Sequence, residues 1–313
     1  MSGTSPGQTP LEAADRLAQW VGLEQLWLKR EDLNPTGSHK DRGAAAQVDA
    51  CLARDNRVAV ISSSGNAALA AAAAGTPRGV TVVALLSPLT EPAKVAAIRA
   101  AGGRVVVTAK PINYTIRLSR VCGWPDLRPS QSAEALAGFA GLGTELAGEL
   151  EEGVAITGYA SSGTTFQAVG AALETAGRTH PLHPVQAGLV NGLSREFGRP
   201  GDGRRSLVGD LGVKVSGRGD DVVRLVRDSG GEAWWVDDDA ISDAGRALRE
   251  AGHHVAPECW AALAGTRLAA RAGLRRAALL LTGRALPPGE YPPLAAPLET
   301  FAEVLAALED LRP

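Results

Sequence analysis

Short apolar runs alternate with longer amphipathic segments along most of the chain. A short run of mostly β-branched or aliphatic residues is typical of a buried strand, and apolar positions three and four apart are typical of a helix. The runs predict strands at 26–28, 58–61, 80–86, 105–107, 154–157, 185–187, 233–236 and 277–281. The amphipathic segments predict helices at 12–21, 41–53, 67–74, 92–101, 141–150, 166–176, 220–228, 240–250, 259–272 and 298–311. Strands that alternate with helices at this spacing favour parallel sheets with right-handed crossovers.

Three segments have weaker patterns. Residues 113–128 contain several turn residues and predict a loop with a short helix. Residues 191–211 are rich in glycine and arginine and predict a loop or an interface, and the proline-rich piece 287–297 predicts a linker. The block 48–142 has the periodicity of one small α/β domain.

Composition and charge narrow the functional classes. The chain has 313 residues, of which 45% are hydrophobic and 21% charged, as in ordinary globular proteins. A formal net charge of -2 argues against a general binder of nucleic acid or of acidic membranes. Three cysteines without CxxC spacing fit a reducing compartment, so we expect a cytoplasmic protein. The first ten residues show no secretory signal, and no apolar run reaches the length of a membrane span.

Most of the candidate functional residues near the N-terminus lie at residues 28–43, which read LKREDLNPTGSHKDRG. The segment 34–37 has turn chemistry, Ser38 is a good N-cap, and the helix that follows contains Lys40 in its first turn. The helix macrodipole disfavours a cation there, so a desolvated Lys40 would deprotonate easily and act as an amine nucleophile. The alternative is a solvated surface lysine.

Two other loops follow predicted strands. Ser161-Ser162-Gly163-Thr164-Thr165 opens a helix and has the composition of an anion-binding nest. The segment 62–66, which reads SSSGN, is also compatible with an N-cap and a turn. The acidic triplet 237–239 fits a helix N-terminus better than a metal site, and the adjacent pair His253–His254 has no supporting ligands. We therefore expect no metal.

The lysine segment resembles the Schiff-base lysine segment of pyridoxal phosphate (PLP) enzymes of fold type II. That family includes threonine synthases, serine/threonine dehydratases, cysteine synthases and the tryptophan synthase β chain. The residues around Lys40, PTGS before it and KDRG from it onward, look most like threonine synthase, whereas His39 looks like the tryptophan synthase β chain. The resemblance implies a two-domain α/β fold with mostly parallel sheets flanked by helices. It also implies a larger domain of 1–47 and 143–313, an inserted domain of 48–142, and PLP in the cleft between them.

The resemblance also implies roles for individual residues. Lys40 would bind the cofactor aldehyde and then serve as the general base and acid at the substrate Cα. Thr282, in a threonine synthase-like TG pair, would contact the ring nitrogen, and Asn66 the ring hydroxyl. A neutral hydroxyl at the ring nitrogen would favour elimination or replacement over transamination and racemisation. The residues implied for cofactor binding are Lys40, His39, Asn66, Ser161, Ser162, Gly163, Thr164, Thr165 and Thr282, and those implied for substrate binding are Ser63, Ser64, Gly65 and Asn66.

Three positions depart from the family pattern. Serines replace the usual glycines of the phosphate loop, Ala256 stands where a glutamate often precedes the proline, and Trp260 is large enough to reshape the pocket. The function implied is a PLP-dependent lyase of the threonine synthase type, acting on a small amino-acid substrate as a homodimer. The alternatives are a serine/threonine dehydratase, a β-replacing synthase of the cysteine or tryptophan type, and a catalytically silent PLP-binding protein. A nicotinamide-binding protein is excluded because no GxGxxG follows the first strand.

Overall fold

The computed structural model describes residues 5–63, 65–209 and 218–312, and the chain forms two compact units. Unit 1 comprises Met1–His39 and Phe139–Ala285, and unit 2 comprises Lys40–Gly138 and Leu286–Pro313. The boundaries differ from those expected from the sequence, which assigned 1–47 and 143–313 to one domain and 48–142 to the other. The first helix after the lysine loop and the C-terminal segment both belong to unit 2.

The structure contains helices and strands in alternation along the described residues. The strands are β1 (Leu11–Ala13), β2 (Gln25–Lys29), β3 (Val58–Ser62), β4 (Thr81–Leu86), β5 (Arg104–Val107), β6 (Ala155–Tyr159), β7 (Leu182–Ala187), β8 (Trp234–Val236) and β9 (Arg276–Leu280). The α-helices are α1 (Asp15–Val21), α2 (Lys40–Ala53), α3 (Asn66–Gly75), α4 (Pro92–Ala100), α5 (Pro111–Cys122), α6 (Ala133–Glu149), α7 (Thr164–Thr175), α8 (Gly192–Arg195), α9 (Gly219–Asp228), α10 (Asp238–Glu250), α11 (Pro257–Arg271) and α12 (Phe301–Ala306).

Unit 1 is built on a six-stranded sheet of order β1-β2-β9-β6-β7-β8. Strand β1 pairs antiparallel with β2, and the other neighbours are parallel. Helices α1, α10 and α11 pack on one face, and α6, α7 and α9 pack on the other. Because both faces are covered, the central strands are apolar runs, as in other doubly wound sheets. Ligands in such folds bind beyond the carboxyl ends of the strands, which here bear the loops after β6 and β9.

Unit 2 contains a parallel three-stranded sheet of order β3-β4-β5. Helices α2, α3 and α4 cover one face, and α5 and α12 cover the other. Phe301, Val304 and Leu308 are buried against Val60 and Val83. This contact explains why the C-terminal segment belongs to unit 2.

The structure changes several predicted elements. Residues 113–128 were expected to form a loop with a short helix. The helix α5 is longer, with twelve residues, a proline in its first turn, and Tyr114 and Leu118 buried one turn apart. The final helix begins at Phe301, later than expected, because Thr300 and Glu303 form a capping box there, and it ends at Ala306. Asp237 caps α10 by accepting the Ala240 amide, as the sequence indicated. None of the helices in the described residues is long and apolar enough to cross a membrane.

Candidate active site

The end of strand β9 anchors the loop that carries the lysine. The carbonyl oxygen of Thr282 accepts hydrogen bonds from Ser38 Oγ at 3.0 Å and from the His39 amide at 3.1 Å. It also lies 2.9 Å from His39 Nδ1. A carbonyl only accepts, so His39 Nδ1 carries a hydrogen. Lys40 follows directly in the chain and is the first residue of α2, so the N-cap position falls on His39 rather than on Ser38.

Two more backbone hydrogen bonds join this strand end to its surroundings. The Arg284 amide donates to the Gly37 carbonyl at 2.8 Å, and the Ala256 amide donates to the Gly283 carbonyl at 2.9 Å. Gly37 has φ +87°, and a Cβ added to it would lie 3.0 Å from Arg284 Nε. The positive φ favours glycine, and a Cβ here would also require the Arg284 side chain to shift. The segment 282–284 therefore holds the lysine loop and the start of α11 together.

The Thr282 side chain is buried beside Cys259. Thr282 Oγ1 lies 3.9 Å from Cys259 Sγ, and the thiol donates to the Gly283 carbonyl at 3.4 Å. Complete burial raises the pKa of the Cys259 thiol, so the thiol stays protonated. Cys259 is a packing residue and a weak hydrogen-bond donor rather than a nucleophile.

The candidate phosphate loop lies between β6 and α7. Gly163 has φ +78° and occupies the N-cap of α7, where it has no side chain with which to cap the helix. Ser162 Oγ and Thr164 Oγ1 are 2.8 Å apart, and Thr164 and Thr165 are buried in the first turn. The Thr164 amide lies 3.5 Å from Ser162 Oγ, and the first amides of a twelve-residue helix whose N-cap is glycine suit an anion such as a phosphate. These residues fit the cofactor's phosphate group.

The candidate substrate loop follows β3 in unit 2. Gly65 is the N-cap of α3, its amide lies 3.4 Å from Ser63 Oγ, and Asn66 is the first residue of the helix. Ser64 lies outside the described residues. Helices α2 and α3 pack against each other, so the two helices that begin with Lys40 and Asn66 are neighbours within unit 2.

A second lysine, Lys29, is buried, and the sequence did not single it out. Its side chain is 0% exposed, and Nζ lies 2.7 Å from the Thr9 carbonyl, 2.9 Å from Glu145 Oε2 and 2.8 Å from Glu149 Oε2. Three oxygen partners occupy Nζ, so this amine is not available to attack a cofactor aldehyde. Its clear role is to fix the N-terminal arm to β2 and α6.

The Trp260 side chain packs against the neighbouring helix α10. Its Nε1 donates to the Val255 carbonyl at 2.9 Å, and its ring occupies the space where a Cβ on Gly245 would lie. The Arg249 guanidinium stacks 4.9 Å from the ring centroid. Trp260 therefore joins α11 to α10 within unit 1. Ala256, the other departure, is the N-cap of α11 and has no side-chain hydrogen bond.

Metal ligation finds no support in the described part of the chain. No group of three histidine, cysteine, aspartate or glutamate side chains there could hold an ion. His253 is half-buried, and its pKa is lowered by burial and then by the Arg30 charge. Its neighbour His254 is exposed.

Comparison with known proteins identifies the family. The family described as "Pyridoxal-phosphate dependent enzyme" matches residues 4–283, so this chain belongs to that family. The fold class and the cofactor expected from the lysine segment are thereby confirmed.

Three similar proteins are named as a threonine synthase, a threonine dehydratase and a threonine deaminase. Threonine synthase of Methanosarcina acetivorans is 42% identical over 80 residues, 26% of this chain and 20% of the relative. Threonine dehydratase 2 of Solanum lycopersicum is 31% identical over 152 residues, 46% of this chain and 25% of the relative. The chain thus spans only a fifth to a quarter of these curated relatives. The crystal structure of T.th. threonine deaminase superposes with a TM-score of 0.76 at 27% identity, covering 91% of this chain and 94% of that one.

Proposed function

We propose that this protein is a PLP-dependent lyase that acts on a small amino acid carrying a leaving group at Cβ or Cγ, with threonine synthase-like chemistry on phosphorylated homoserine. The observation that carries the proposal is the lysine segment: its sequence resembles threonine synthase, and its last loop residue, His39, is bound to the Thr282 carbonyl. The 42% identity to a threonine synthase supports the same assignment. A cytoplasmic homodimer remains the expected state.

The residues present fit the cofactor in four places. The Lys40 amine would hold the aldehyde, and the amides that open α7 after Gly163 would hold the phosphate. Thr282 would contact the ring nitrogen through its hydroxyl, and Asn66 would contact the ring oxygen. Bound PLP supplies an electron-withdrawing ring that stabilises negative charge at the substrate Cα.

The protein's own contribution is positioning and proton transfer. Ser63 Oγ and the amide of Gly65 would bind the substrate carboxylate, which orients the Cα–H bond. The Lys40 amine would remove the Cα proton and return a proton later in the reaction. Anchoring of the lysine loop to β9 restricts where that amine can reach.

A serine/threonine dehydratase is the second candidate. It is favoured by the longer match to threonine dehydratase 2 and by the likeness to the threonine deaminase structure over nine-tenths of both chains. The dehydratase would use the same Lys40 base, but its leaving group would be a hydroxide rather than a phosphate.

The products distinguish these candidates. We would supply purified protein and PLP with O-phosphohomoserine, L-threonine or L-serine, and measure threonine, inorganic phosphate, 2-oxo acid and ammonia. Threonine and phosphate in equal amounts support the synthase, and 2-oxo acid and ammonia support the dehydratase. The Lys40→Ala variant must lose the activity, whereas Lys110→Ala, which changes an exposed lysine, must keep it. Absence of turnover with a broader amino-acid panel would favour a silent PLP-binding protein.

A further inference from the structure

Tyr159 is the last residue of β6, and its hydroxyl is buried without a hydrogen-bond partner in the described residues. A buried tyrosine hydroxyl usually finds a partner, because leaving it unpaired destabilises the folded protein. Phenylalanine would fill the same space without this penalty. Packing alone therefore does not explain why this position has a tyrosine rather than a phenylalanine.

The strand pleat gives the direction of this side chain. Thr157, two residues earlier, hydrogen-bonds Thr266 of α11 at 2.8 Å, so side chains at 157 and 159 face α11. Tyr159 accordingly packs against the hydrophobic cluster on that face. Residues 258, 262 and 266 share one side of α11, which brings Glu258 near the carboxyl end of β6.

Charge restricts the group that this hydroxyl can bind. Burial, and then the Glu258 carboxylate, raise the pKa of Tyr159, so its hydroxyl remains a donor at neutral pH. The same negative charge opposes an anionic acceptor at this point. An uncharged oxygen or nitrogen is the matching partner.

We propose that Tyr159 is a ligand-recognition residue whose hydroxyl donates to an uncharged acceptor on the bound cofactor or on the amino-acid substrate. The inference rests on the proposed function, because it places the ligand at the carboxyl ends of β6 and β9. Tyr159 immediately precedes the loop 160–163, and β6 is hydrogen-bonded to β9, the strand that ends before Thr282. A phosphate carried by the substrate would bind away from this hydroxyl.

Replacement of the hydroxyl should have opposite effects on stability and on binding. In Tyr159→Phe, we expect the melting temperature of the cofactor-free protein to rise by about 2–4 °C, because an unpaired buried hydroxyl is removed. We expect the affinity for PLP, or the KM for the amino acid, to weaken by about tenfold, the loss of one neutral hydrogen bond. A weaker Kd for PLP assigns the acceptor to the cofactor, and a raised KM alone assigns it to the substrate.

Tyr114→Phe is the matched control, because the Tyr114 hydroxyl already donates to the Glu299 carbonyl at 2.8 Å. It should lower the melting temperature and leave both binding constants unchanged. If Tyr159→Phe behaves in the same way, Tyr159 is structural and the inference is overturned. If the proposed function is wrong, the result will differ, because the wild-type protein would bind PLP without turning over any amino acid. The Kd of Tyr159→Phe for PLP would still show whether the hydroxyl binds the cofactor.

Discussion

Gly138 offers a way to displace the lysine without touching it. In α6, a Cβ added at Gly138 would lie 2.4 Å from the Arg42 carbonyl oxygen and 2.9 Å from Gly43 Cα. Both contacts are to the backbone of the first turn of α2, the helix that begins with Lys40. The two glycines, Gly43 and Gly138, allow the helices to approach this closely.

The size of the displacement follows from these distances. The 2.4 Å separation is about 1 Å shorter than the 3.4 Å at which ordinary contact begins. In Gly138→Ala, the first turn of α2 must therefore move by about 1 Å, and a misplacement of that size can lower a rate by about 100-fold. Overpacking should lower the free energy of unfolding by about 1–3 kcal/mol, and the better helix propensity of alanine should offset about 1 kcal/mol of this loss.

Gly148→Ala is the matched control on the same helix. Nothing in the described structure lies within 4 Å of a Cβ at Gly148, so the substitution should stabilise the protein by about 0.5–1 kcal/mol and leave turnover unchanged. The assay is kcat at saturating PLP, together with the free energy of unfolding in urea. Equal kcat values for Gly138→Ala and Gly148→Ala would refute the argument that this helix contact positions Lys40.

Three further substitutions test other parts of the structure. Burial lowers the pKa of His183 to about 4 in the folded protein, so the unfolded chain binds a proton at this histidine more tightly. The free energy of unfolding should therefore fall as the pH drops from 6.5 towards 4, by at most about 3 kcal/mol. Urea unfolding at pH 7 and pH 5 should show a smaller difference for His183→Gln, and an equal difference would contradict the assignment. Lys29→Met should lower the free energy of unfolding by about 2–3 kcal/mol, because the partly exposed Glu145 and Glu149 lose their buried cationic partner. A loss below about 0.5 kcal/mol would show that these ion pairs contribute little to stability. Gly37→Ala should lower the free energy of unfolding by about 1–2 kcal/mol because of the positive φ at this position, and it should weaken PLP binding, which a titration would measure. An unchanged affinity for PLP would show that the conformation of this loop does not affect the cofactor site.

The α/β alternation could be predicted because strands buried on both faces are apolar runs between helices. The assignment of the C-terminal segment could not, because it depends on contacts between Phe301 or Val304 and Val60, some 240 residues away in the sequence. Local periodicity contains no information on such a contact. The sequence predicted only a short helix within 113–128, whereas α5 has twelve residues and begins at Pro111.

Similar limits apply to the site. The segment around Lys40 could be recognised because its residues are consecutive, and the loop after β6 because glycine and hydroxyl residues mark a helix start. The hydrogen bonds from His39 to the Thr282 carbonyl join residues 243 apart in the sequence and needed the fold. The space for the Trp260 ring is provided by Gly245 on the neighbouring helix, a contact that the sequence alone could not reveal.

The most direct test of the central claim is to identify which residue binds the cofactor. The protein, incubated with PLP, would be treated with borohydride, which makes a bond between a lysine amine and the cofactor aldehyde permanent, and its peptides would be analysed by mass spectrometry. We expect the mass of one reduced cofactor on the peptide that contains Lys40, and none in Lys40→Ala. An unmodified protein, or a label on Lys29 in place of Lys40, would contradict this account.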